Sequence, residues 1–248
     1  MNILSDIQSA KAQGKKLLAI LLDPDKIEAD ALDKISAAIA ASPATHIFVG
    51  GSRVTIGKTD WLIGELRKRT ALPIVLFPGH PSQISAKAHA LLLLSLVSGR
   101  NPDFLIGHHV DAAHDLVSSG LEIIPTGYLL IDGAKQSAVE QVTQTKPLSD
   151  VDEIVNTTLA SQLLGHQLVY LEAGSGASIP VSAQIISKVA STLTVPLIVG
   201  GGINSARGIE EAHEAGATLV VIGTAFEEDL DFFQRQMSNV ERRTIVPQ

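Results

Sequence analysis

The stretch Leu168-Val169-Tyr170-Leu171-Glu172-Ala173-Gly174-Ser175-Gly176-Ala177 decides the fold. An apolar run of strand type delivers a carboxylate to its end, and a loop of small residues follows at once. Two later segments repeat the design, Pro196-Leu197-Ile198-Val199-Gly200-Gly201-Gly202-Ile203 and Thr218-Leu219-Val220-Val221-Ile222-Gly223-Thr224-Ala225. Runs that are apolar throughout, rather than alternating, mark strands covered on both faces. Outward from these segments, eight such strands are expected at residues 17–22, 45–49, 73–77, 89–94, 121–130, 167–172, 195–199 and 218–222. Helical spacing falls between and after them, at 26–41, 60–70, 103–118, 150–164, 182–191, 206–215 and 227–239. Gly120, Gly165 and Gly216 follow three of these helices, where a left-handed cap favours glycine. Eight strands alternating with helices predict an α/β fold, a (β/α)8 (TIM) barrel formed as one domain over residues 1–248. An open doubly wound sheet shares the alternation.

The alternation breaks in two places. Between Phe77 and His89 there is room for a turn or two of helix, so the third connecting helix is expected to be short or absent. Residues 132–149 are long and polar without strong periodicity, and read as an extended loop of the lid or binding kind.

Bulk properties narrow the function. The 248 residues are 45% hydrophobic and 18% charged, enough for one substantial core. With a net charge of −7 and no basic run longer than Arg67-Lys68-Arg69, nucleic-acid binding is not expected. There is no cysteine, which rules out disulfides, thiolate metal sites and cysteine nucleophiles. The first sixteen residues are polar and mixed in charge, unlike a secretory signal. The longest apolar run falls well short of a membrane span, and a soluble cytoplasmic protein is expected.

Three kinds of residue carry candidate chemistry. Gly200-Gly201-Gly202 follows a strand and precedes a helix that Asn204 or Ser205 would cap, and Gly223-Thr224 repeats the arrangement. Glycines let backbone amides approach an anion, and barrel loops after strands seven and eight frequently hold phosphate. The same glycines also serve as tight turns. Glu172, at the end of the preceding strand, is placed to take a proton from a hydroxyl, or to be a salt-bridged surface residue. Tyr170 shares its strand face, to position a substrate hydroxyl or simply to pack. Asp23-Pro24-Asp25-Lys26 ends strand one as an ordinary helix start, or as a carboxylate for Mg2+, which suits one or two protein oxygens plus substrate phosphates. Ser52 and Arg53 offer a hydroxyl and a cation to the same mouth. His108, His109 and His114 lack zinc-ligand spacing. His80 reads as a loop histidine that could face a substrate channel, Trp61 as packing, and 229–236 as a solvated helix face.

At these residues the chain resembles the geranylgeranylglyceryl phosphate synthase family, which includes the heptaprenylglyceryl phosphate synthases. The resemblance runs nearly end to end. It rests on Leu22-Asp23-Pro24-Asp25-Lys26, Val49-Gly50-Gly51-Ser52, Phe77-Pro78-Gly79, Ser98-Gly99-Arg100-Asn101-Pro102, Ile124-Pro125-Thr126-Gly127-Tyr128-Leu129, Tyr170–Gly176 and Val199-Gly200-Gly201-Gly202-Ile203. It implies a modified barrel in which a strand-like segment replaces the third helix. The implied reaction is prenyl transfer from a long isoprenoid diphosphate, the geranylgeranyl donor preferred, to the 3-hydroxyl of sn-glycerol 1-phosphate. It further implies Mg2+ on Asp23 and Ser52, and Glu172 as base. Glycerol phosphate is implied to meet Tyr170, Leu171, Glu172, Ala173, Gly174, Ser175, Gly176, Gly201, Gly202, Gly223 and Thr224. Archaeal members often carry a lysine two residues before the aspartate, where this chain has Leu21, so Arg53, Lys58 and Arg100 are the candidates to meet the diphosphate. By analogy the protein is a homo-oligomer, dimer or hexamer, with transient membrane contact to shed a lipid product. The rivals are another phosphate-binding barrel enzyme and a non-catalytic phosphate-binding barrel.

Overall fold

Eight parallel strands close on themselves in chain order, from β1 beside β2 round to β8 beside β1. The structure is a computed structural model and describes residues 2–235. In chain order its elements are α1 Ile3–Gln13, β1 Leu17–Leu22, α2 Leu32–Ala40, β2 His46–Val49, α3 Lys58–Leu66, β3 Ile74–Leu76 and β4 Ala90–Leu96. There follow α4 His108–Ser118, β5 Glu122–Leu130, α5 Ala138–Thr143, α6 Val151–Leu163, β6 Leu168–Glu172, α7 Ala183–Thr192, β7 Leu197–Gly200, α8 Ala206–Glu214, β8 Leu219–Ile222 and α9 Thr224–Glu228. Closure removes every sheet edge, and the doubly wound alternative is set aside.

The strand side chains divide into two apolar layers. Ala19, Phe48, Val75, Leu92, Ile124, Leu168, Tyr170, Ile198 and Leu219 fill the interior. Their neighbours in sequence, such as Ile20, Ile47, Val169, Leu171 and Val220, face the surrounding helices. Burial on both faces is why the strands read as unbroken apolar runs.

Three expectations are corrected. The amino-terminal segment, polar in overall composition, is helix α1. Its Ile3, Ile7 and Ala10 recur at helical spacing, and Ile3 and Ile7 join the interior cluster, so the helix plugs the barrel. Asn2 caps it, and the amides of Ile3 and Leu4 donate to the Glu122 carboxylate at 2.6 and 2.9 Å. The stretch 132–149 is not wholly a loop. It contains α5, capped by Ser137, and is tied at its ends by a bridge between Ile131 and Leu148. The helix expected at 26–41 is two 3-10 turns, Pro24–Lys26 and Ala29–Ala31, before α2.

The third connection is as short as expected, holding a single 3-10 turn, Pro81–Gln83, with no strand. The helix expected at 227–239 is divided. α9 ends at Glu228, helical geometry returns at Phe232–Arg235, and the remainder of that expectation, with the end of the 229–236 face, lies outside the described residues.

Candidate active site

The loops after β6, β7 and β8 meet at one end of the barrel. Glu172 is the last residue of β6 and is 6% exposed. Its Oε1 accepts the Gly174 N–H at 2.8 Å, folding the loop back over the carboxylate. Burial pushes the Glu172 carboxyl up to about 7, while the Gly174 amide and the nearby Tyr170 hydroxyl pull it partly back. Tyr170 lies one layer below on the same face, as two-residue periodicity predicts. Its hydroxyl is fully buried and, although close to the carboxylate, makes no hydrogen bond of good geometry. Burial first, and then the Glu172 charge, push the phenol well above its ordinary value.

A Cβ on Gly201, at the end of β7, would collide with Glu172 Oε1 and fall 2.7 Å from the Ala173 nitrogen. Its φ of +83° is also left-handed, so only glycine fits between these two loops. The Gly202, Gly174 and Gly176 backbones are left-handed too. Gly223 stands before α9, and Thr224 begins it; the Thr224 hydroxyl lies 3.2 Å from that of Ser175. Residues 172–176, 201–202 and 223–224 thus come together as one rim of amides and hydroxyls around a buried carboxylate. Leu171 departs from its companions. Its side chain faces the outer helical layer, leaving only its backbone toward the rim.

The sequence reading missed Lys135. The loop after β5 clasps the β6 loop, with the Ser178 and Ile179 amides donating to Gly133 O at 3.1 and 3.2 Å. Ala134, at φ +58°, then turns the chain. This leaves the Lys135 ammonium 3.8 Å from where a Cβ on Gly176 would sit. No sequence signal marks the residue, because the contact depends on a docked loop.

Asp23 ends β1 and caps the Pro24–Lys26 turn, its Oδ1 accepting the Asp25 N–H at 3.1 Å. Burial raises its pKa and Glu227 adds to the rise, against the Asp25 amide and Lys26. Its carboxylate lies 3.2 Å from where a Cβ on Gly51 would be, which sets it beside the residue preceding Ser52. The buried Gln83 holds that loop, donating to Gly51 O at 2.8 Å and accepting the Gly79 N–H at 3.3 Å. Asp23 therefore stands beside Gly51, the residue before Ser52, while Ser52 packs against Gly79. Among the described residues no group of three or more histidines, aspartates or glutamates is placed to hold a metal. A cation here would draw its remaining ligands from substrate.

An apolar groove runs from this end of the barrel between the β3–β4 connection, α4 and α5. Ile84, Leu91, Leu93, Ala112 and Leu116 line its depth, Val139 and Val142 its α5 wall, and Ser52, Gly79, His80 and His108 its mouth. It occupies the place a third connecting helix would fill. Glu172 and the glycine loops do not line it. They connect to it through Phe77 and Tyr128, which line the groove and pack against Tyr170, tilted at a ring separation of 5.2 Å and edge-on at 5.4 Å.

A closed β/α barrel whose last three strand loops converge on a buried carboxylate belongs to the phosphate-binding class of barrel enzymes. A family model described as the PcrB family matches residues 11–242, and the chain belongs to that family. The geranylgeranylglyceryl phosphate synthase of Flavobacterium johnsoniae is 53% identical over 233 residues, covering 93% of this chain and 96% of that protein. Its counterpart from Spirosoma linguale is 46% identical, covering 98% and 96%. The crystal structure of (S)-3-O-geranylgeranylglyceryl phosphate synthase from Thermoplasma acidophilum in complex with substrate sn-glycerol-1-phosphate superposes with a TM-score of 0.89 at 31% identity, covering 97% of this chain and 98% of that one.

Proposed function

We propose that this protein is a geranylgeranylglyceryl phosphate synthase, joining the 3-hydroxyl of sn-glycerol 1-phosphate to a long prenyl diphosphate through an ether bond. The observation that carries the reading is Glu172, buried, with its pKa near 7, at the centre of the rim of residues 172–176, 201–202 and 223–224. Such a base is half deprotonated at neutral pH and strong enough to take a hydroxyl proton as the oxygen attacks. The named relatives, and the glycerol phosphate in the Thermoplasma complex, support the same assignment.

The residues divide the work. The glycine rim and the Ser175 and Thr224 hydroxyls seat the phosphate, with Lys135 supplying positive charge at its edge. The buried Tyr170 hydroxyl lies beneath the Glu172 carboxylate and steadies it, and Glu172 takes the proton from the glycerol 3-hydroxyl. That oxygen forms a bond to the allylic carbon while the carbon–oxygen bond to diphosphate breaks, the electron pair leaving with the diphosphate. The apolar groove receives the tail, and the preferred donor is geranylgeranyl diphosphate by analogy with the named relatives.

Asp23 and Ser52 fit Mg2+, since they offer oxygen donors, one of them a partly dehydrated carboxylate, and leave room for substrate phosphates. When bound, the ion would neutralise charge growing on the diphosphate. We also propose a cytoplasmic homo-oligomer, a dimer or hexamer, that meets the membrane transiently. Exposed Ile106, Val110, Val117, Leu163 and Leu164 supply apolar surface for self-association or lipid contact. Among the described residues no helix is long and apolar enough to cross a membrane.

The test is incubation with labelled sn-glycerol 1-phosphate and prenyl diphosphates of increasing length, followed by product analysis. An ether-linked prenylglyceryl phosphate, most abundant with the twenty-carbon donor, is expected. No ether product with any donor would overturn the reading.

A further inference from the structure

The diphosphate end of a prenyl donor needs donors and counter-charge where the apolar groove reaches the barrel rim, and the residues assigned above leave one polar cluster there unused. Ser52, Gly79, His80, Phe104, His108 and Val142 line both the groove and a second cavity beside it, so they mark where the two meet. Arg53 lines the second cavity. The His108 ring stands edge-on to Phe104, with centroids 4.9 Å apart, and to His80 at 5.2 Å, which fixes the two imidazoles as a pair.

The protonation of His80 follows from its own backbone. Its Nδ1 accepts the Ser82 N–H at 3.2 Å, capping the Pro81–Gln83 turn. A backbone N–H can only donate, so Nδ1 is the bare nitrogen and the proton sits on Nε2. The ring therefore presents an N–H donor on the side away from its own turn. Among the three cations considered for the diphosphate, Arg100 is committed to the carbonyls of Val97 and Gly99 at 3.2 and 2.6 Å. Lys58 lies 4.0 Å from Glu28 and over the Trp61 ring. Arg53 has no ion-pair partner among the described residues, and its planar fork matches phosphate oxygens better than an ammonium does. Asp103 also lines the groove, but its Oδ1 is folded against its own turn, 3.1 Å from where a Cβ on Gly107 would sit.

We propose that Arg53, His80 and His108 form the seat for the diphosphate of the prenyl donor, holding the leaving group at the groove mouth so that the allylic carbon faces the glycerol hydroxyl. The seat rests on the prenyl-transfer reading and assigns it three residues. The guanidinium and the His80 Nε2–H hydrogen-bond the diphosphate oxygens on which charge accumulates as the carbon–oxygen bond breaks. His108 holds the His80 ring in place.

Inorganic pyrophosphate is the probe, titrated calorimetrically at fixed Mg2+ into the full chain and into Arg53→Met, His80→Ala, His80→Gln and His108→Phe variants, beside steady-state kinetics. Arg53→Met and His80→Ala are expected to weaken pyrophosphate binding at least tenfold and to raise KM for the prenyl diphosphate by a like factor. KM for glycerol phosphate should stay within twofold. Glutamine at position 80 places an amide donor near Nε2 and should restore part of the loss, which a purely structural role would not produce. Thermal melts establish that each variant is folded. Folded variants that bind pyrophosphate and prenyl diphosphate like the parent would overturn the seat. The prenyl-transfer reading fails separately, if the unmodified chain forms no ether product while Arg53→Met still loses pyrophosphate.

Discussion

Glu172 combines two properties that usually oppose each other, deep burial and a charge needed for chemistry. Replacing it with glutamine preserves the shape of the side chain but removes the base. Turnover should fall by roughly 10²–10⁴-fold, while calorimetry still detects glycerol phosphate binding; unchanged turnover would remove the assigned role. Because its pKa is raised to about 7, the base is protonated in acid. The pH profile of kcat/KM should therefore rise through about pH 7 and flatten above it. Stability should run the other way. With the folded pKa above the value of 4.5 for an unburied carboxyl, its contribution is full below that lower value and is lost as pH rises through about 7. The difference amounts to roughly 3 kcal/mol. Glu172→Gln should then melt higher than the parent at pH 8 and no higher at pH 4, and a lower melting point at pH 8 would contradict the assigned burial cost. Lys135 is the complementary case, charge added at an exposed edge. Lys135→Ala should raise KM for glycerol phosphate several-fold and leave that for the prenyl donor unchanged, with arginine at the same position restoring most of the loss.

At the scale of elements, what was legible in the sequence depended on how local the signal was. The eight strands are doubly covered, so each advertises itself as an apolar run, and β6, β7 and β8 fall within a residue or two of their expected limits. The glycine rim was legible for the same reason, since close approach of Gly201 to Glu172 leaves no alternative to glycine. Helix α1 was hidden because its buried face is only three residues wide and the rest is solvated. The groove was hidden because it is made by an absence, the missing third helix, and by α5, whose six residues carry too little periodicity to stand out from the loop around them. The short connection was visible, but its consequence required α4 and α5 to be placed across the gap. The plug is the easier element to probe. Ile7 is 1% exposed within the interior cluster, so Ile7→Ala should cost about 2–5 kcal/mol of stability by denaturant unfolding. Because α1 packs against the end of the barrel remote from Glu172, KM for both substrates should hold at temperatures where the variant is folded.

At the scale of the whole molecule, the proposed reaction puts two anions on one barrel mouth, and they differ in how charge would be met. Around the glycine loops, the phosphate proposed to sit among amides, hydroxyls and Lys135 would not be consumed, so modest fixed dipoles would suffice. At β1 and β2, the expected guest is a leaving group whose negative charge grows during reaction, and the described side chains there include the carboxylates of Asp23 and Glu227. Glu227 is paired with Lys26 at 2.7 Å, but the Asp23 carboxylate has no such ion pair among the described residues and would repel a diphosphate unless a further cation intervenes, and burial already raises its pKa in the absence of one. A divalent ion held by the proposed site would resolve the conflict by turning the same carboxylate from an obstacle into a ligand. Activity should therefore vanish in excess chelator and return with Mg2+. Asp23→Asn, which keeps an oxygen but removes the charge, should raise the Mg2+ concentration for half-maximal activity by tenfold or more. Glycerol phosphate, held on the opposite loops, should bind Asp23→Asn as it binds the parent. Full turnover in chelator, or an Asp23→Asn variant with an unaltered Mg2+ requirement, would mean that Lys26 and Arg53 alone balance the diphosphate.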